Sequence, residues 1–264
     1  MARQRPTVAD LRSMKGKRQL SMLRVTTLEE AEAAERAGVD MLSIPPALLT
    51  SEFRDAAPTC FTVPGLEYGD FITAEDYLRG AFAAIRAGAD AVYCAASLQT
   101  VRRLRDEGVP VCGHSGLIPS QATWTGGFKA VGKTAESARL VWQQVKALEA
   151  AGAFAAELEV VPNAVAAAIS QRTSLFMISM GSGAGCDAQY LFAEDVLGQN
   201  RGHVPRHAKI YRNFKVEHDR LQQERITAFR EYVQDVQSGA YPAERHTVGV
   251  PDTELTEFLT GIEA

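Results

Sequence analysis

The chain is poor in cysteine: among 264 residues there are four, Cys60, Cys94, Cys112 and Cys186, and each stands alone. With no C-x-x-C spacing anywhere, a zinc cluster of the usual kind is excluded and reduced thiols are expected rather than a disulfide framework. Cys94 and Cys112 read as small core residues, because neither has a cationic neighbour in sequence that would lower its pKa. Basic charge is short as well, 28 Lys and Arg against 32 Asp and Glu for a net charge of −4. That balance gives no electrostatic reason to expect nucleic acid or an anionic membrane as a partner. Long apolar runs are missing, and the basic opening Met1-Ala2-Arg3-Gln4-Arg5-Pro6 leads into no hydrophobic stretch. Neither a signal peptide nor a membrane span is expected, and a cytoplasmic protein is. A small-molecule substrate remains the natural partner.

What is present is apolar bulk and a repeat. Hydrophobic residues make up 46% of the chain, enough for one large α/β domain. Three segments share the plan helix, glycine stop, strand: Ala37-Gly38-Val39-Asp40 before Met41-Leu42-Ser43-Ile44, Ala87-Gly88-Ala89-Asp90 before Ala91-Val92-Tyr93-Cys94, and Ala151-Gly152-Ala153 before Phe154. Glycine in that place ends a helix in the left-handed conformation, and the apolar run after it opens a parallel strand. The pattern predicts strands over 19–25, 40–44, 60–63 (stopped by Pro64), 91–94, 109–112, 158–162 and 175–180. It predicts helices over 27–37, 48–54, 73–87, 98–107, 134–151, 163–170, 187–197 and 218–238, with loops over 65–72 and 117–133. Seven or eight such units imply a (β/α)8 TIM barrel over 1–264 with a C-terminal helical extension from about 205; an open doubly wound sheet is the alternative. In either fold the long loop over 117–133 is more readily functional than incidental.

The stretch Leu158-Glu159-Val160-Val161-Pro162 puts a carboxylate inside an apolar strand. A glutamate in a dry place costs several kcal/mol unless it is paired or its pKa moves. Glu157, two residues earlier, points to the same face unless a bulge intervenes. The cluster Gly181-Ser182-Gly183-Ala184-Gly185 either cradles a ligand, making Ser182 a contact, or forms a plain tight turn.

At Cys112-Gly113-His114-Ser115-Gly116-Leu117-Ile118-Pro119 the chain resembles the ketopantoate hydroxymethyltransferase family, of the phosphoenolpyruvate mutase-like barrel superfamily. The likeness continues through Gly126-Gly127-Phe128-Lys129, Leu158-Glu159-Val160-Val161-Pro162, Gly202-His203-Val204-Pro205 and Ser238-Gly239-Ala240-Tyr241-Pro242, over roughly residues 7–246. The resemblance implies a homo-oligomeric barrel that binds 2-oxoisovalerate on Mg²⁺. In it a glutamate removes the C3 proton and the enolate attacks the one-carbon unit of methylenetetrahydrofolate. By position Glu159 matches the family's base and His114 its strand-five histidine.

The departures are specific. Where the family has Gly-Asp-Ser after strand two, this chain has Pro45-Pro46-Ala47. Where it has a second aspartate after strand three, this chain has Gly65, or Pro64 with a one-residue shift. Its strand-four lysine and metal-binding glutamate correspond to Tyr93 and Ala95. None of these replacements offers Mg²⁺ a carboxylate, so the family metal is not expected, while a tetrahydrofolate donor stays open. Three readings follow. The first is aldol-type C–C chemistry beside a carbonyl, with Glu159 and His114 catalytic and Tyr93, Glu157, Lys129, Ser182 and His203 binding substrate. Neutral or cationic groups, Arg206 among them, then replace the metal. The second is a lyase or mutase with a metal site rebuilt from Glu157, Glu159, His114 and Glu67 or Asp70. The third is a barrel without catalysis that serves binding or assembly. Lys129 can equally be a solvated loop lysine, and His203 can simply pin its loop.

Overall fold

The computed structural model describes residues 3–67 and 69–262. Met1, Ala2, Tyr68, Glu263 and Ala264 lie outside the described residues, and with them part of the basic opening and of the loop expected over 65–72. The chain divides into two compact units, 3–212 and 213–262 among the described residues.

The first unit is a closed barrel of eight parallel strands in sequence order: β1 (Leu20–Arg24), β2 (Met41–Ile44), β3 (Phe61–Leu66), β4 (Val92–Cys94), β5 (Val111–Gly116), β6 (Ala155–Glu159), β7 (Phe176–Met180) and β8 (Ala188–Phe192), with β8 pairing back onto β1. Its helices are α1 (Val8–Met14), α2 (Leu28–Ala37), α3 (Ser51–Ala56), α4 (Ala74–Arg86), α5 (Leu98–Asp106), α6 (Ala122–Thr125), α7 (Ala135–Ala150), α8 (Asn163–Ser170) and α9 (Ala193–Val196). Threonines cap several of them; Thr73 and Thr134 each form a reciprocal capping box, with Asp76 and Ser137.

Side-chain alternation splits the apolar residues into two layers. Leu42, Ile44, Val92, Val111, Leu158 and Met177 point outward and join the helices in one cluster. Met22, Met41, Phe61, Cys112, Phe176 and Ile178 point inward and fill the barrel as a second. The same inward rows end, at the C-terminal ends of the strands, in polar residues: Arg24, Ser43, Tyr93, His114, Glu157 and Glu159. The apolar plug is therefore the floor of whatever these groups do.

Four expectations are revised. The predicted helix over 187–197 is strand β8 followed by the short α9; closure gives β1 its second neighbour through five register pairs from Leu20↔Ala188 to Arg24↔Phe192, and that tertiary demand overrides local propensity. Pro64 does not stop β3, because it pairs with Ile44 at the last step of the β2 ladder, where the missing N–H matters least. Strand β5 runs past Cys112 to Gly116 alongside β6, and β6 itself begins at Ala155 and ends at Glu159, short of Pro162. Helix α1 was not predicted; Leu11 on it is fully buried against the inward cluster.

Asp187 ties the N-terminal end of the barrel together, accepting from the backbone N–H groups of Met177 (2.8 Å) and Gly16 (3.1 Å) and from Lys15 Nζ (2.8 Å). The second unit contains α10 (Phe214–Ser238) and α11 (Asp252–Ile262), with Tyr241 stacking between Tyr232 and His246 beyond the end of α10.

Removing the Asp187 carboxylate strands two backbone donors and a half-buried ammonium, so Asp187→Ala is expected to destabilise the first unit by about 3 kcal/mol. Urea denaturation read by circular dichroism measures this; a loss under about 1 kcal/mol, the size of an ordinary hydrogen bond, contradicts it.

Candidate active site

The C-terminal ends of the strands enclose a cavity of about 810 Å³. Its centre is His114, 6% exposed, between two carboxylates: Nδ1 lies 3.4 Å from Glu157 Oε2 and Nε2 lies 3.2 Å from Glu159 Oε2. The register explains the grouping. His114 on β5 pairs directly with Glu157 on β6, and Glu159 follows one inward step further up the same strand. No bulge intervenes, so the two glutamates do share a face.

Each ring nitrogen also has a closer partner, Tyr93 Oη at 2.8 Å from Nδ1 and the Leu117 carbonyl at 2.8 Å from Nε2. A carbonyl only accepts, so Nε2 carries a hydrogen. Burial on its own lowers the histidine pKa, but hydrogen bonds and charge from Glu157 and Glu159 outweigh it and raise His114 from 6.5 to about 10. The ring is an imidazolium at neutral pH. Nδ1 then also carries a hydrogen, and Tyr93 Oη accepts it. Burial, and next the charge of Glu157, push the Tyr93 phenol up, so the tyrosine keeps its own proton for donation into the cavity. Burial likewise holds Glu157 above the ordinary carboxylate range despite the attraction of His114.

The backbone around Glu159 is tightly constrained. Val160 adopts φ +48°, a left-handed conformation that costs a β-branched residue on the order of 1–3 kcal/mol. Its N–H donates to the Met180 carbonyl at 2.8 Å, and its own carbonyl accepts from Val131 N–H at 3.2 Å, which anchors the end of the 117–133 loop beside the site. Gly116 stands opposite; a Cβ there would lie 2.5 Å from the Glu159 carbonyl oxygen, so only glycine lets β5 and β6 run this close.

Of the residues singled out by sequence, Glu159, His114, Tyr93, Glu157, Lys129 and His203 all line the cavity. Ser182 does not. Fully buried, it accepts from Val161 N–H at 2.9 Å and donates to the Leu158 carbonyl at 2.7 Å, fastening the turn that presents Glu159. The surrounding glycine cluster is a packed turn that reaches the cavity only through Gly181. Cys94 and Cys112 are core thiols, Cys94 pushed up by burial to about 11.

Among the lining residues that the sequence did not single out are Arg24, Ser43, Tyr190, Asp195 and His207. Arg24 carried a signal, since the inward row Leu20, Met22, Arg24 ends in a charge as the β6 row does. Tyr190 was hidden inside a segment read as helix. Burial holds His207 below its ordinary histidine value.

The donor set does not fit the Mg²⁺ that the resemblance implies. Among the described residues no group of three or more His, Cys, Asp and Glu side chains could hold a metal ion. A side chain grown from Gly65 meets Glu67 Oε1 at 3.0 Å and the Tyr93 ring at 3.8 Å, so the expected aspartate position is filled by other groups. Glu67 is itself engaged by Arg24 Nη2 at 3.1 Å.

The closed (β/α)8 barrel can be compared with solved folds, among them a member of the phosphoenolpyruvate mutase/isocitrate lyase superfamily. The fold is similar to that of 2,3-dimethylmalate lyase from that superfamily (TM-score 0.50, 10% identity, 96% of this chain and 98% of that one). It is also similar to the carboxyl transferase domain of Rhizobium etli pyruvate carboxylase (TM-score 0.54, 12% identity, 70% and 42%). The family model for ketopantoate hydroxymethyltransferase matches residues 48–244. The 3-methyl-2-oxobutanoate hydroxymethyltransferase of Erwinia tasmaniensis is 36% identical over 75% of this chain and 74% of its own length; that of Kosmotoga olearia is 31% identical over 86% and 92%. The chain belongs to the ketopantoate hydroxymethyltransferase family, a family of transferase enzymes.

Because the His114 pKa is higher folded than unfolded, its proton contributes stability in full below about pH 6.5, and that contribution is lost as the pH rises toward 10. Nitrogen-15 spectra of the histidine rings are expected to show His114 doubly protonated at pH 8, and Glu157→Gln to lower its midpoint by about one pH unit or more. A wild-type midpoint below pH 7 contradicts this electrostatic account.

Proposed function

We propose that this enzyme makes or breaks a C–C bond next to the carbonyl of a keto acid, in an aldol-type reaction of which hydroxymethyl transfer is the nearest form, with protein donors in place of the family's Mg²⁺. The observation that carries this reading is His114 held between Glu157 and Glu159, with Tyr93 on its Nδ1.

In the forward direction Glu159 takes the proton from the carbon next to the keto group. The electron pair moves onto the carbonyl oxygen, and the Tyr93 hydroxyl, polarised by the His114 hydrogen bond, donates to that developing enolate oxygen. The enolate carbon then forms the new bond to the carbon of a one-carbon aldehyde, whose C=O π pair moves onto its own oxygen and takes the proton held by Glu159, while the keto carbonyl is restored. Glu157 holds His114 in its charged state and orients it; it is a positioning residue. Lys129 and His203 lie at the mouth, where they suit binding of substrate or donor, and no tetrahydrofolate contact is assigned. Apolar side chains left exposed on α10 and α11, Phe229 and Phe258 among them, suit the homo-oligomer that the resemblance implies. Among the described residues no helix is long and apolar enough to cross a membrane.

Solvent-deuterium exchange into 2-oxobutanoate and 2-oxoisovalerate tests the chemistry. Exchange is expected to persist in EDTA and to fall about 10²–10⁴-fold in Glu159→Gln. Exchange abolished by EDTA and restored by Mg²⁺ overturns the metal-free mechanism, and exchange unchanged in Glu159→Gln overturns the assignment of the base.

A further inference from the structure

Family expectation leaves one part of the cavity without an assigned role: the end of β1. Arg24 points into the barrel above Met22, part-buried, and its guanidinium is held from several sides. Glu67 accepts from Nη2 at 3.1 Å, the Phe192 ring lies 5.9 Å from the guanidinium carbon, and Tyr190 and Ser43 line the same part of the cavity. Glu67 is the more exposed partner, 44% against 26% for the arginine side chain. Its bond uses one nitrogen of a group that carries five N–H donors. Arg24 is also near enough to bear on the charge of Glu157, which puts it beside the acid–base cluster. A cation held by an ion pair and an aromatic ring, with donors to spare and facing a cavity, matches the planar geometry of a carboxylate.

We infer that Arg24 is the substrate's carboxylate anchor, taking over from the absent metal the task of holding the acid group of a 2-keto acid. Tyr190 and Ser43 complete the seat, and Glu67 orients the guanidinium from the solvent side. The keto oxygen then falls toward Tyr93 and the adjacent carbon toward Glu159. This assignment rests on the reading of the site as one for keto acids, and it concerns binding, whereas that reading concerns proton abstraction.

Calorimetric titration of the full chain with 2-oxobutanoate and with its uncharged analogue 2-oxobutanamide separates the two. The acid is expected to bind, the amide to bind about ten- to a hundred-fold more weakly, and Arg24→Gln to weaken the acid by a similar factor while leaving the amide unchanged. Arg24→Lys is expected to recover part of the loss, since it keeps the charge without the fork. In turnover or exchange assays the defect is expected in KM with kcat nearly preserved. Equal binding of acid and amide by the wild-type protein overturns the inference even if the Arg24 variants do not fold, as does failure of the acid to bind or its undiminished binding to Arg24→Gln. Arg24-dependent binding with no deuterium exchange upholds the anchor and overturns the proposed chemistry.

Discussion

Two carboxylates and one imidazole share a dry space at the top of the barrel, and each is tolerable there only because of the others. A lone buried glutamate costs several kcal/mol and escapes by taking up a proton. Here His114 supplies a positive charge within 3.4 Å of both. In return the carboxylates hold the ring doubly protonated, although burial by itself drives it toward neutrality. Tyr93 inherits the consequence: with a charged donor at its oxygen, its hydroxyl can only donate outward.

The fold provides what this cluster needs. Parallel strands in direct register bring His114 beside Glu157, and the one-step spacing of inward residues brings Glu159 above it. The apolar plug beneath keeps water out from below. Glu159 is presented by a strained turn at Val160, fastened on both sides by backbone bonds and by Ser182, so the strain is borne by the scaffold. Strain at a position like this is common where a side chain must be aimed.

Within its family the chain is set apart by the charged groups that line its cavity, Arg24, Glu67, His114, Glu157 and Glu159. Where the relatives' pattern calls for metal-binding carboxylates, this chain has proline, glycine and alanine, and the space at Gly65 is bordered by Tyr93 and the Arg24–Glu67 pair. Arg24, His114 and the Tyr93 hydroxyl face the cavity there. Such donors offer less charge than Mg²⁺, but they stand ready in a water-poor site, where each is worth more than in bulk solvent.

Much was legible without coordinates. The helix, glycine, strand repeat carried the barrel, and the run Leu158-Glu159-Val160-Val161-Pro162 carried the buried carboxylate, because helix stops and two-residue alternation are local properties of the chain. Glu157 and Glu159 could be placed on one face by counting. What counting could not supply was which strands would be neighbours, and so it could not pair His114 with Glu157, turn 188–192 from helix into the closing strand, or bring Arg24 at one end of the sequence against Glu67, Tyr190 and Phe192. Those contacts exist only once the sheet has closed on itself. Local sequence determined the elements and the inward-facing charges, whereas closure of the barrel decided which charges meet, since register between distant strands is settled by packing of the whole interior.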